Sequence, residues 1–193
     1  MKQIIVLVGF IFLMSCNTSM DKSPASAESG LPEGAIEQPF EDNPGMSVVT
    51  TNDSQGNLSA YGIYVNGVRE GSWVEYHPNG HVKAIYGYVK GQKEGQAVEL
   101  DDRGQLLERF TYHNDVLNGP YTKYNRSQIK EERNYKDGKL DGQTKIYYDN
   151  RKIMEESMYK NGIRDGIGRW YDQEGNLMFE YTYKDGELIK DKE

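Results

Sequence analysis

The sequence predicts an all-β fold, an elongated and twisted antiparallel array of β-hairpins preceded by a signal peptide and a disordered tether. Three observations predict it: tyrosines that recur at a near-constant interval, glycine pairs that follow them, and short runs of alternating apolar residues. The tyrosines are Tyr64, Tyr88, Tyr112, Tyr135, Tyr159 and Tyr183, separated by 24, 24, 23, 24 and 24 residues. Such a period marks a repeat array whose unit is one supersecondary element, too small to bury its own apolar face.

Residues 1–15 read as a leader. Lys2 precedes an apolar run from Ile4 to Leu13, which is too short to cross a bilayer as a permanent helix. The segment Leu13-Met14-Ser15-Cys16 then resembles the lipobox of bacterial lipoprotein signal peptides, with a larger residue at Met14 than that pattern prefers. The resemblance implies cleavage before Cys16 and covalent lipid on that residue as the only prosthetic group. Cys16 is the single cysteine, so it has no disulfide to make. Two or more acyl chains, at about 0.8 kcal/mol per buried methylene, form a stable membrane anchor. Asn17 stands where the best-known lipoproteins carry the Asp that retains them in the inner membrane. The resemblance therefore implies the bacterial cell envelope, with the outer membrane favoured where one exists.

Residues 16–46 read as a flexible linker. Pro24, Pro32, Pro39 and Pro44 lie among Ser, Glu and Gly with few large apolar side chains, so the segment lacks the material for a core. It would hold the array away from the lipid surface.

Residues 47–193 hold the array, about six units of 23–24 residues. Each recurring tyrosine leads into a reversal with Gly-x-x-x-Gly spacing: Gly67/Gly71, Gly91/Gly95, Gly138/Gly142 and Gly162/Gly166. Asp115 replaces the first glycine before Gly119, and Lys190 replaces the second after Gly186. Asn, Asp and Gly tolerate positive φ, so a sharp reversal forms there at little cost. Five residues after the second glycine stand Tyr76, Leu100, Tyr124, Tyr147 and Tyr171, followed by turns such as His77-Pro78-Asn79-Gly80. Proline second and glycine fourth suit a type I turn closed by a glycine bulge. The chain re-enters a strand at Val82, Leu106, Ile129, Ile153 or Leu177, six residues before the next recurring tyrosine. An even count puts the two side chains on one face. A lone hairpin of this size is at best marginally stable, so the units must stack.

The pattern Tyr-x-(Asn/Asp)-Gly-x-x-x-Gly, with an aromatic five residues on, a glycine turn, an aliphatic residue and a Glu before the next Tyr, resembles the variant MORN repeat of bacterial proteins. These include the YwqK-type antitoxins. The resemblance covers residues 61–193, and Gly56-Asn57-Leu58 looks like the tail of an earlier copy beginning near Ser47.

Loss of Lys2 with the leader leaves 22 basic against 30 acidic residues, a net charge of −8. That balance argues against nucleic acid and against electrostatic binding to anionic lipid. The membrane contact is expected through acyl chains alone.

Catalysis is not expected. Glu108, Glu131 and Glu155 each precede a recurring tyrosine by four residues, but equivalent positions in neighbouring two-strand units are about 9–10 Å apart, beyond the roughly 5–5.5 Å of a retaining glycosidase pair. A glycan hydrolase remains the lowest alternative. His77 and His81 flank one turn without a third ligand, His113 stands apart, and Asp101, Asp102, Asp149 and Asp172 lack calcium-loop spacing. No metal is expected.

Trp73, Tyr121, Ile146, Tyr148 and Trp170 lie at even distances from the second glycine, opposite in parity to Tyr76 and Tyr171. They are expected on the other face, as candidate partner residues of the kind that anchor interfaces, unless the sheet curls and buries both faces. The function expected is a non-enzymatic envelope lipoprotein whose repeat surface binds a protein or cell-wall polymer. The alternative, implied by the YwqK-type resemblance, is an antitoxin or immunity protein that neutralises a toxin.

Overall fold

The computed structural model describes residues 30–189, so the leader, including Leu13, Met14, Ser15 and Cys16, and the first part of the tether lie outside the described residues. Within them the chain forms a single sheet of 17 strands and no helix. Each long strand pairs antiparallel with the one before and the one after it in sequence, from Ile36–Phe40 at one end to Glu187–Ile189 at the other. Those two strands have no partner in common, so the sheet is open.

The linker ends earlier than the composition implies. Ile36–Phe40 is already a strand, pairing Ile36 with Thr50 and Pro39 with Ser47 on Asn43–Asn52. Pro39 fits because this is an edge strand, where a missing N–H is tolerated, and the Ser47 hydroxyl donates to Glu37 at 2.7 Å. The earlier, eroded copy is therefore a full two-strand unit.

The reversals have the expected chemistry. Asn66-Gly67, Lys90-Gly91, Asn114-Asp115, Asp137-Gly138, Asn161-Gly162 and Asp185-Gly186 all have positive φ at both residues, the requirement of a two-residue type I′ hairpin. The opposite turns close with Gly80 N–H donating to His77 C=O at 2.8 Å, Gly104 to Asp101 at 3.0 Å and Gly175 to Asp172 at 3.0 Å.

Two expectations are corrected. The second glycine of each pair lies outside the reversal, at an interruption within the strand: Ile63 pairs with Glu70 but Gly62 with Trp73, so Gly71 and Ser72 are extra. A second shift sits beside each glycine turn, where Glu75 pairs with Ala84 but Tyr76 with Val82. This second shift inserts one residue and so inverts side-chain parity. Val82 therefore lies with Tyr76, on the face opposite Tyr86 and Tyr88, despite its even separation from Tyr88.

The core is one face of this single-layer sheet. Val49, Gly62, Trp73 and Tyr86 stand in consecutive register across four strands, and Ala60, Tyr64, Ala84, Tyr88, Ala97 and Phe110 complete the buried cluster around them. Large side chains lying sideways over small ones keep Tyr64 at 2% exposure without a second layer.

Candidate interaction surface

The recurring tyrosines and the off-register aromatics share this face. The Tyr64 and Trp73 rings meet edge-on at 5.9 Å, as do Tyr121 and Tyr135, and the Arg164 guanidinium lies over Tyr159, Trp170 and Tyr183. Trp73 is thus no partner residue. It is 4% exposed, closed in by Tyr64 and by the Arg69 guanidinium 4.6 Å from its ring, and truncating a tryptophan so placed costs on the order of 3–5 kcal/mol. Tyr121 is half-buried and stacks on Phe110. Ile146 lies half-buried between Glu131 and Glu155. Tyr148 belongs to a turn, where its hydroxyl donates to the Tyr171 carbonyl of the next unit at 2.8 Å.

Trp170 differs. Half-buried, it faces Phe179 across the ladder and packs on Tyr181 at 5.8 Å, while Phe179 stacks on Tyr181 at 6.2 Å. Phe179 and Tyr181 are 52% and 42% exposed, and Leu177, Met178, Leu188 and Ile189 beside them are exposed too. The apolar cluster open to solvent therefore lies at the C-terminal end of the sheet, two of its three aromatics being residues the parity argument did not single out. Their signal was the run Leu177-Met178-Phe179, dense in apolar residues without strand alternation.

The carboxylates are dispersed among partners. Glu108, Lys123, Glu131, Ile146 and Glu155 stand in register, so the three glutamates are separated by intervening strands. Arg133 pairs with Glu131, and Arg164 bonds Glu155 at 2.6 Å. Tyrosine hydroxyls serve others: Tyr86 donates to Glu99 at 2.7 Å, Tyr171 to Glu156 at 2.8 Å, and Tyr147 to Glu132. Burial first, then the adjacent carboxylate, raises the Tyr86, Tyr121 and Tyr147 phenols far above their usual range; burial lifts Tyr112 to about 12.

The opposite face carries a row unforeseen in the sequence. Tyr61, Val74, Ile85 and Val98 stand in register, and the row continues through Arg109 and Thr122 into Glu132, Lys145, Glu156, Arg169 and Glu180. Apolar residues face apolar ones, and from Glu132 onward charges alternate in sign. Arg169 bridges two carboxylates, Glu180 at 2.6 Å and Glu156 at 3.3 Å.

The histidines serve the turns. His77 Nε2 and His81 Nδ1 contact the Leu100 and Asp102 carbonyls one unit on, at 3.0 and 2.8 Å, and His113 contacts Glu94. Among the described residues no group of three or more His, Cys, Asp or Glu side chains is placed to hold a metal. Asp101 and Asp172 accept backbone N–H groups of their own turns.

Three stretches of the chain match the MORN repeat variant: residues 69–90, 140–161 and 164–185. No curated protein matches the chain. Each MORN-variant match runs along one strand, around a turn with positive φ at Gly80, Arg151 or Gly175 and back, ending on the left-handed first residue of the next reversal, Lys90, Asn161 or Asp185. The last match contains Trp170, Phe179 and Tyr181 whole. The interval between the first two matches continues the same ladder, with the strands Gly95–Leu100, Leu106–His113, Gly119–Asn125 and Gln128–Lys136 paired in turn and the last two joined by the two-residue reversal Arg126-Ser127.

Proposed function

We propose that this chain is a non-enzymatic lipoprotein of the bacterial cell envelope, anchored through lipid on Cys16, whose MORN-variant repeats present a rigid surface to a protein partner. The observation that carries the reading is the exposed cluster of Trp170, Phe179 and Tyr181. Single exposed apolar residues are scattered along the sheet, but contiguous exposed aromatics gathered at one end of it are the usual mark of an interaction site. The sequence features behind the anchor are the lipobox-like Leu13–Cys16 and the proline-rich segment that follows it. With the leader gone, acyl chains hold the molecule to the membrane, the outer one where present, and the segment up to Ile36 spaces the sheet from the lipid. The YwqK-type antitoxin reading is one form of this function, in which the partner is a toxin.

The test joins both ends of the molecule. Radiolabelled palmitate should enter the wild-type protein and not Cys16→Ala. A photo-crosslinker placed at Phe179 should capture one defined protein in intact cells, and the same group at Lys83, remote from the cluster, should not. Lipid uptake by Cys16→Ala, or equal capture from both positions, would refute the reading.

A further inference from the structure

The exposed cluster coincides with an interruption of the backbone ladder. In every earlier unit the residues equivalent to Phe179 and Glu180 are covered by the next unit. Ala60 and Tyr61 face Glu75 and Val74; Ala84 and Ile85 face Glu99 and Val98; Glu108 and Arg109 face Lys123 and Thr122; Glu131 and Glu132 face Ile146 and Lys145; Glu155 and Glu156 face Trp170 and Arg169. In the last unit Glu187–Ile189 covers only Thr182, Tyr183 and Lys184. Among the described residues, Phe179, Glu180 and Tyr181 have a strand on one side alone. An unpaired edge bearing apolar side chains is a template for a further strand.

The array's own pairings state what that strand must carry. Where the covered residue is apolar, as at Tyr61 and Ile85, the covering residue is valine. Where it is acidic, as at Glu132 and Glu156, the covering residue is basic, Lys145 or Arg169, followed by a large apolar residue, Ile146 or Trp170, beside the neighbouring glutamate. Glu180 is acidic and half-exposed, and its one cation, Arg169, is shared with Glu156. Among the described residues the alternation Glu132, Lys145, Glu156, Arg169, Glu180 ends on a negative charge with a cation on one side only.

The geometry points to a β-strand docking site at Phe179–Tyr181 for an extended segment of a partner protein, running antiparallel, with Lys or Arg opposite Glu180 and an apolar residue directly after it, opposite Phe179. This rests on the partner-binding reading above and names the chemistry of the partner. Backbone bonds supply part of the affinity, and the charge pair fixes direction and register. The opposite edge, Ile36–Phe40, is a poorer template, because Pro39 removes a donor from it.

The probe is a fluorescent peptide with the sequence of residues 163–172, which carries Arg169-Trp170 in the required order. It should bind the full chain saturably, and Glu180→Arg should weaken binding about tenfold or more, since like charges placed face to face cost several kcal/mol. A peptide with Arg169→Glu should show the reverse preference, binding Glu180→Arg better than wild type. This rescue separates the charge pair from any folding defect. Hydrogen exchange at the Glu180 amide should slow on binding. Binding indifferent to both charge reversals overturns the proposal. So does a Glu180 amide already protected in the free monomer, which would give the edge to residues 190–193, and so does a dimer of the free chain that Glu180→Arg dissolves, which would give it to a second copy. Peptide binding without crosslinking at Phe179 in cells would fail the functional reading alone; the converse result would fail this inference alone.

Discussion

Trp73 reaches its buried position because Gly62, directly opposite, has no β-carbon; one built there would overlap the indole. The same economy of side-chain volume places tyrosines flat over small residues and leaves their hydroxyls at the margin of the face, where glutamates accept their protons' hydrogen bonds. The consequence is an alkaline limit on stability. Tyr86, Tyr112, Tyr121 and Tyr147 have folded pKa values raised, chiefly by burial, above the ordinary value near 10. A raised folded pKa means that the neutral phenol is favoured in the native state. The associated stability is complete below the unfolded value and is lost as pH rises through the folded one. Stability to urea should therefore hold up to about pH 9 and fall above about pH 10, with tyrosinate absorbance from these residues appearing together with unfolding. Titration of all tyrosines near the ordinary value in a folded protein would refute this.

At the scale of the hairpin, each reversal is clasped to the unit before it. Gly91 N–H donates to the Arg69 carbonyl at 2.9 Å, Asp115 to Lys93 at 3.0 Å, Gly138 to Leu117 at 2.9 Å, Gly162 to Leu140 at 2.8 Å and Gly186 to Arg164 at 2.9 Å. The backbone of one turn thus completes the next. Gly91 carries the conformational demand of this clasp, with φ of 82°. Gly91→Ala should cost about 1–2 kcal/mol in urea unfolding, and Gly91→Asn less, because Asn tolerates positive φ; equal stability of all three would show that the turn relaxes freely. Turn chemistry of this kind is legible in sequence, since Asn-Gly and Asp-Gly name their own dihedrals. The bulges were not. Gly-x-x-x-Gly spacing reports two glycines but not that the second interrupts a strand, and the one-residue shift beside the following turn inverted the parity on which Val82 was placed. Parity also counts faces and not rows. Trp73 and Trp170 do share a face, yet Trp73 lies in the row beside Gly62 and Tyr86, and Trp170 in the row that reaches the open edge at Phe179. What separates a core residue from a candidate contact here is the neighbour one period away, which no local window contains.

Over the whole molecule, contacts run between neighbouring strands and from each unit to the next, so stability accumulates along the array one interface at a time. The two halves solve this differently. The inner face is closed by Val49, Trp73, Tyr86 and Phe110 near the N-terminal end, and by Arg133, Thr144 and Ser157 further on, with ion pairs to Glu131 and Glu155. Because each interface depends only on its own unit and the next, a whole period should be removable. Deleting residues 143–166 joins Gly142 to Ile167, which sets Arg169 opposite Glu132 in place of Lys145 and Trp170 opposite Glu131 in place of Ile146. Charge alternation and side-chain parity both survive. The shortened chain should keep its β circular dichroism and unfold in one transition at a lower urea concentration, as expected of a shorter one-dimensional array. Deleting residues 143–165 instead leaves one extra residue, Gly166, in the joined strand. Arg169 then falls opposite Glu131, Gly168 opposite Glu132, and Trp170 turns to the other face, because a one-residue slip exchanges the faces of a strand. That variant should lose most of its cooperative unfolding. Equal stability of the two deletions would mean that register is not what holds the units together, and the repeat interface would need another explanation.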